Sequence, residues 1–487
     1  MTTAHIDTFD LPGLRYPDRL NAAVELIDKA DPDVLAVLND AGRWTYGEMQ
    51  GISDRIARLL VEQEGLVPGN RVFLRGPNNA MLFACWLGIL KAGGIVVATM
   101  PILRSGEIVT ILERAQINHA IVDARCLDNY TLAAEKTGLV RSLLTYEGDS
   151  GTGELERRLK DVVPGFTPVD THRNDVALIA FTSGTTGNPK GCVHYHRDIL
   201  ACADAFAATI LKPNAGDRWA CSAPIAFTFG LGQLLIFPFR SGGTAVTIEA
   251  PSPAALLDAI ERHKVTTLAT APTAYKAILG QLAGRDISTL HTCVSAGEHL
   301  PAATWRAWKE ATGLSIGATE MMHIFISASG DDLRPGATGK AVPGYQACVL
   351  GDDDLPIIAP ATGRLAIKGP TGCRYFDDPR QADYVANGWN VTGDTYRQDE
   401  EGYFWYLARS DDMIISSGYN IAAPEVENAL LSHPAVQECA VIGAPCDERG
   451  QKVKAFVVCA PGHEAGEALA AELQAHVKAT IAPYKYP

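Results

Sequence analysis

The sequence predicts an α/β protein of two successive α/β subdomains, followed by a small β unit and a compact α+β domain. Three observations carry this. From Ala41 to Ile248 apolar strands alternate with amphipathic helices, the pattern of layers built on a parallel sheet. The alternation restarts at Ala254. After about Arg334 the helices give way to short strands punctuated by Gly, Pro and Asp, which marks a β unit. A chain of 487 residues, 47% of them hydrophobic, is too long for one core and apolar enough to build several.

Taken in order, Arg71 to Leu74 reads as strand, Asn79 to Lys91 as helix and Gly94 to Ala98 as strand. Val176 to Phe181 is an unbroken apolar run and reads as a buried strand. In the second subdomain a helix runs to His263, then come strand Thr266 to Ala269, a helix after Pro272 and a strand from Thr292 to Ser295. The β unit holds Gln346 to Leu350, Gly363 to Lys368 and Gly402 to Leu407. Beyond Asp411, Pro424 to Ser432 and Ala465 to Thr480 read as helices, with strands Val436 to Ile442 and Lys454 to Cys459 between them. No internal repeat or low-complexity linker appears.

A net charge of -14 and a pI near 5.3, with no basic stripe, argue against nucleic acid as a partner. The 11 cysteines are scattered without a Cys-x-x-Cys pair, so they read as reduced, mostly buried thiols and not as a zinc ribbon or disulfide framework. Met1 to Asp7 lacks a basic segment followed by an apolar stretch, and no apolar run is long enough to cross a bilayer. A cytoplasmic protein without a membrane partner is expected.

The most informative stretch is Thr182-Ser-Gly-Thr-Thr-Gly-Asn-Pro-Lys-Gly191, directly after the apolar strand. Gly184 and Gly187 let the backbone approach an anion. Thr182, Ser183, Thr185 and Thr186 offer hydroxyls, and Lys190 offers a point charge. A Walker A loop needs Gly before its Lys and Ser or Thr after it, whereas Pro189 and Gly191 flank this one. The bland alternative is a polar surface turn, which explains any three or four of these residues better than all ten in order.

Downstream come Gly317-Ala-Thr-Glu320, Thr392-Gly-Asp394, Arg409-Ser-Asp-Asp412 and Ser417-Gly-Tyr-Asn420. With the loop, and in this order and approximate spacing, they make the chain resemble, over nearly its whole length, the ANL superfamily of adenylate-forming enzymes. Within it, Val193 to Asp198, Ala226 to Gly230, Ser295 to Pro301, Thr319 to Phe325 and Ser417 to Asn420 look like the benzoate and 2-aminobenzoate CoA ligases, and the reading leans to 2-aminobenzoate.

The resemblance implies a large N-terminal domain (1–409) of two α/β subdomains plus a small β-barrel, capped by a mobile α+β C-terminal domain (410–487). It implies an aryl acid:CoA ligase that uses ATP, Mg²⁺ and coenzyme A and takes a small aromatic carboxylic acid as substrate. A homodimer is compatible with it. Two alternatives are a carrier-protein-loading adenylating enzyme and a non-catalytic acyl-adenylate binder.

By the same resemblance, Thr182 to Gly187 and Lys190 contact the polyphosphate, Thr319 the α-phosphate, and Glu320 holds Mg²⁺. Asp394 and Arg409 match the ribose-binding positions, although a purely structural ion pair is the competing reading. Gly297 and Glu298 match the segment lining the adenine, where a plain strand-to-turn connection is the competing reading. Phe227 matches the gating aromatic. Phe229, Gly230 and Gly297 are expected to enclose a planar ring, with His323 offering a polar contact to it; aromatics are mostly core, so Phe229 has that alternative too. Asp411 matches the hinge, and Ser417, Gly418 and Tyr419 the pantetheine tunnel.

The family's C-terminal domain continues to a late lysine that this sequence, ending at Pro487, does not reach; Lys485 belongs to an earlier segment. An incomplete C-terminal domain is therefore expected. The stretches Thr312 to Glu320 and Asp7 to Pro12 also read a few residues short.

Overall fold

The computed structural model describes residues 14–182, 189–297, 300–319, 324–372, 374–409, 413–416, 419–446, 450–481 and 483–487. The first α/β layer is a six-stranded sheet in the order Ser142–Tyr146, His119–Asp123, Arg71–Arg75, Ile95–Thr99, Val176–Thr182, Lys190–Tyr195. Its first five strands are parallel and the last runs antiparallel to Val176–Thr182. The second is a seven-stranded sheet in the order Ile316–Thr319, Thr292–Ala296, Thr267–Thr270, Arg218–Cys221, Thr244–Val246, Leu35–Asn39, Gly42–Thr45. It is parallel except for the final hairpin. The expected repeat of the α/β pattern is therefore two separate sheets.

Local sequence explains how the helices between these sheets start and how close they come. Tyr46–Glu62 begins at a reciprocal capping box: Glu48 N–H donates to the Thr45 hydroxyl and Thr45 N–H to the Glu48 carboxylate. Helix Ala80–Lys91 is capped by Asn79, whose side chain accepts from Leu82 N–H. It is apolar all round and buried at every position but Met81, as a helix enclosed on all sides must be. A Cβ at Gly88 would lie 2.7 Å from Ile56 Cγ2, so glycine is what lets this helix approach Tyr46–Glu62. At its end the fully buried Lys91 ammonium is held by Asp28 at 2.5 Å and Asp54 at 2.6 Å.

One apolar cluster runs from these helices through both sheets. A second lies under the seven-stranded sheet, where Tyr275 and Trp308 meet edge to face at 4.7 Å. The expected β unit is a five-stranded antiparallel half-barrel made by Gln346–Leu350, Ala361–Lys368, Trp389–Gln398, Val385–Ala386 and Phe404–Arg409. The last strand starts later than the sequence suggests because Gly402, at φ 82°, still belongs to the turn.

The C-terminal sheet has four strands: Tyr419–Ile421, Ile414–Ser416, Gly450–Cys459 and Val436–Cys446. With helices Ala423–Leu431 and Glu467–Thr480 it encloses its own apolar cluster around Val426, Leu430 and Val477. The ribbon Val436–Cys446/Gly450–Cys459 is longer than its apolar residues predict, since it remains hydrogen-bonded through Gly443 and Lys452. The described cysteines are all free, and no helix among the described residues is long and apolar enough to cross a membrane.

Candidate active site

Four strands of the seven-stranded sheet, Arg218–Cys221, Thr267–Thr270, Thr292–Ala296 and Ile316–Thr319, run parallel in adjacent positions. Their carboxyl ends therefore share one edge, the customary place for ligands in open α/β sheets. After Cys221 the chain turns through Pro224 into the short helix Thr228–Leu231, with Phe227 as the residue before it. Phe227 is 44% exposed. Phe229 is half-buried against the main core. A Cβ at Gly230 would sit 2.3 Å from Pro224 O and 2.5 Å from Ala223 O, so this glycine seats the helix on the preceding turn.

After Ala296 comes Gly297 at φ 88°, with open space where a Cβ would point. Its neighbour in the sheet is the end of Ile316–Thr319, in register Ala296 to Thr319. Gly297 and Thr319 thus stand side by side at the edge that also carries Phe227. Glu298, Glu320 and His323 follow in the chain and lie outside the described residues, as do Ser183, Gly184, Thr185, Thr186, Gly187, Asp411, Ser417 and Gly418. For Thr182, Thr319 and Tyr419 the backbone alone is described. Tyr419 pairs with Ser416 in a tight hairpin.

Thr182 and Lys190, at the two ends of the phosphate-loop motif, are direct partners across an antiparallel hairpin. The Lys190 side chain is buried to 9% exposure. Its ammonium donates to the Tyr384 hydroxyl and stands 4.1 Å from the Tyr384 ring centre and 5.1 Å from that of Tyr375, inside cation–π range of both. Arg114 donates to Pro189 O at 2.6 Å and pairs with Asp378 at 2.9 Å.

Asp394 and Arg409 meet as the sequence suggests. They are register partners on neighbouring antiparallel strands, and Arg409 Nη1 donates to Asp394 Oδ1 at 3.1 Å. Gly393, at φ 80°, leaves room beside the guanidinium. Burial pushes the Asp394 carboxyl above its usual range against the opposing pull of Arg409. For Arg409 burial works against the charge, but Asp394, then Tyr406 and, further down, Tyr384 outweigh it, so the guanidinium pKa is raised. Arg409 also lines a cavity of about 490 Å³ shared with Met413, Pro424, Glu427 and Val441 of the C-terminal sheet and its helix.

The structure thus sets Tyr384 against Lys190 and within electrostatic reach of Arg409, and gathers Phe227, Gly297 and Thr319 on one sheet edge. Sequence reasoning missed Tyr375, Tyr384 and Arg114. Their contacts to the loop span separations of up to 194 residues, and no local pattern signals them. Among the described residues no cluster of His, Cys, Asp or Glu suits a metal ion.

The AMP-binding enzyme model matches residues 25–375 and the AMP-binding enzyme C-terminal domain model residues 425–487. A benzoate–CoA ligase of Thauera aromatica is 36% identical over 98% of this chain and 93% of its own length. The crystal structure of the anthranilate CoA ligase AuaEII in complex with anthranoyl-AMP superposes with a TM-score of 0.92 at 31% identity, covering 98% of this chain and 94% of that one. A benzoate CoA ligase from Burkholderia xenovorans gives a TM-score of 0.88 at 28% identity, over 96% of this chain and 95% of its own.

Proposed function

This chain belongs to the family of AMP-binding enzymes, and from that premise we propose that it joins an aromatic acid, benzoate or 2-aminobenzoate, to coenzyme A at the expense of ATP. The coarser statement, an acid–CoA ligase, is supported by near-full-length likeness to such ligases. The aromatic substrate is carried by one observation: half-exposed Phe227 shares the carboxyl edge of the sheet with Gly297, whose Cα faces open space. A flat ring suits such an edge.

In the first half-reaction a carboxylate oxygen of the acid attacks the α-phosphorus of ATP, and the bond to the β-phosphate oxygen breaks, with pyrophosphate leaving on its electron pair. Thr182 and Lys190 are proposed to take up phosphate charge, Thr319 to contact the α-phosphate, and Asp394 and Arg409 to hold the ribose hydroxyls. Mg²⁺, when bound, supplies further neutralisation of phosphate charge, and Glu320 is the residue proposed to hold it. In the second half-reaction the CoA sulfur attacks the acyl carbonyl and AMP leaves. Ser417, Gly418 and Tyr419 are proposed to line the approach of the thiol after rotation about Asp411; Glu298 is proposed to line the adenine, and His323 with Phe229 the ring.

The test supplies synthetic benzoyl-AMP and 2-aminobenzoyl-AMP with CoA and follows thioester by mass spectrometry. Thioester well above the uncatalysed rate is expected, and the faster adenylate names the acid. No thioester from either adenylate would overturn the proposal, in favour of a carrier-protein acceptor or a binder without turnover.

A further inference from the structure

The motif's lysine has lost most of its contact with water, and an ammonium in that position needs partners. Among the described residues no carboxylate pairs with Lys190; its partners are the Tyr384 hydroxyl and the faces of Tyr384 and Tyr375. The two rings meet edge to face at 5.0 Å and 80°. The distinction matters for chemistry. A carboxylate would cancel the charge, whereas a hydroxyl and two π faces hold the cation and leave its charge intact. An ammonium has three N–H donors, and Tyr384 takes one.

This arrangement is anchored to the loop itself. Val193 N–H donates to Arg374 O and Phe376 N–H to Gly191 O, each at 2.7 Å, which lays the segment before Tyr384 along the strand that Lys190 opens. Asp378 caps the turn Pro379–Tyr384 and pairs with Arg380 and Arg114. Arg114 grips Pro189 O as well. One arginine therefore ties the loop's stem to the turn that presents the tyrosine. Beyond Tyr384 the chain passes through Val385–Ala386 into Trp389–Gln398, the strand of Asp394.

We infer that Tyr384 is a positioning residue: it fixes the Lys190 ammonium, paired with no carboxylate among the described residues, toward a nucleotide polyphosphate, and keeps it in register with the Asp394–Arg409 pair. This rests on the reading of the loop as a phosphate site. Tyr375 supplies the second wall.

The test compares wild type, Tyr384→Phe, Lys190→Met and the double variant. Tyr384→Phe keeps the ring and loses the hydroxyl. Titration calorimetry with Mg-ATP is expected to show an affinity about tenfold weaker for Tyr384→Phe, and no further loss when the same change is made in the Lys190→Met background. Thioester formation from supplied benzoyl-AMP, which lacks the β- and γ-phosphates, is expected to stay within about twofold of wild type. Unchanged ATP affinity would overturn the inference. So would equal losses in both lysine backgrounds, or a parallel fall in the thioester step, since these mark a role in folding alone. If wild type bound no ATP, the functional reading would fall; wild-type binding with an insensitive Tyr384→Phe removes this inference only.

Discussion

Asp394→Asn separates a nucleotide-binding pair from a structural one. The Asp394 side chain is 6% exposed and that of Arg409 is 43% exposed, with their nearest atoms 3.1 Å apart. If the pair served only the fold, its worth would be modest, because water reaches and screens the guanidinium; a half-exposed pair contributes about 0–1 kcal/mol. The substitution also removes a carboxyl whose ionised form burial disfavours, which offsets part of that loss. Stability should therefore change by no more than about 1 kcal/mol. Binding is another matter. A carboxylate accepting from ribose hydroxyls makes charge-assisted hydrogen bonds, and replacing it with an amide should cost about 2 kcal/mol, or about 30-fold in the Kd for ATP. The assay is ATP titration by calorimetry alongside urea unfolding of the same preparations. ATP affinity within about threefold of wild type would refute the ribose reading and leave a structural ion pair, whatever small shift the urea midpoint shows.

Three further outcomes follow from the geometry. Lys91→Met leaves Asp28 and Asp54 facing each other without their cation, and should cost about 3–5 kcal/mol by urea unfolding, less at acid pH where Asp28, its carboxyl pushed up by burial, protonates. Gly230→Ala places a methyl against Pro224 O and Ala223 O, so it should destabilise by about 1–3 kcal/mol; by shifting Phe227 and Phe229 it should also change selectivity among aromatic acids, measured as relative thioester rates. His196 is buried with its pKa lowered to about 4, and its Nδ1 accepts from Ala22 N–H at 3.1 Å. The folded state then binds fewer protons than the unfolded between about pH 6.5 and 4, so stability is complete above that window and falls by about 3 kcal/mol as pH drops through it. His196→Asn, whose amide oxygen can replace the acceptor, should flatten this slope in pH-dependent unfolding.

Local pattern was enough wherever one force decided the outcome. The apolar run at Val176 and the helical stretch from Asn79 became elements within a residue or two of expectation. Strand pairing was not legible in the same way. That Lys190–Tyr195 would return antiparallel, or in what order the strands of the β unit would pair, depends on contacts between distant segments. The same holds at the site. Asp394 and Arg409 are close enough in sequence to suggest a pair, and register joins them. Tyr384 lies in a stretch whose composition carries no chemical signature, and only the packing of Arg374 to Tyr384 along the edge strand gives it a task. Gly230 teaches the converse. Its place among pocket aromatics suggested a wall for the ligand, and backbone oxygens at under 3 Å from a built Cβ add a steric requirement that the sequence does not signal.

The hairpin closed by Thr182 and Lys190 has an electrostatic consequence. In many nucleotide folds the loop that receives phosphate feeds straight into a helix, whose first turn lends partial positive charge and free N–H groups. Here the chain goes from strand to strand, and helix His196–Cys202 begins only after Lys190–Tyr195 has run back to the other end of the sheet. No macrodipole is aimed at the loop from that helix. On the proposed reading, a polyanion bound there draws nothing from that helix and relies more on discrete charges, Lys190 among them, and on its own counter-ions. Its affinity should accordingly follow ionic strength and divalent-cation concentration more steeply than in proteins where a helix terminus does this work.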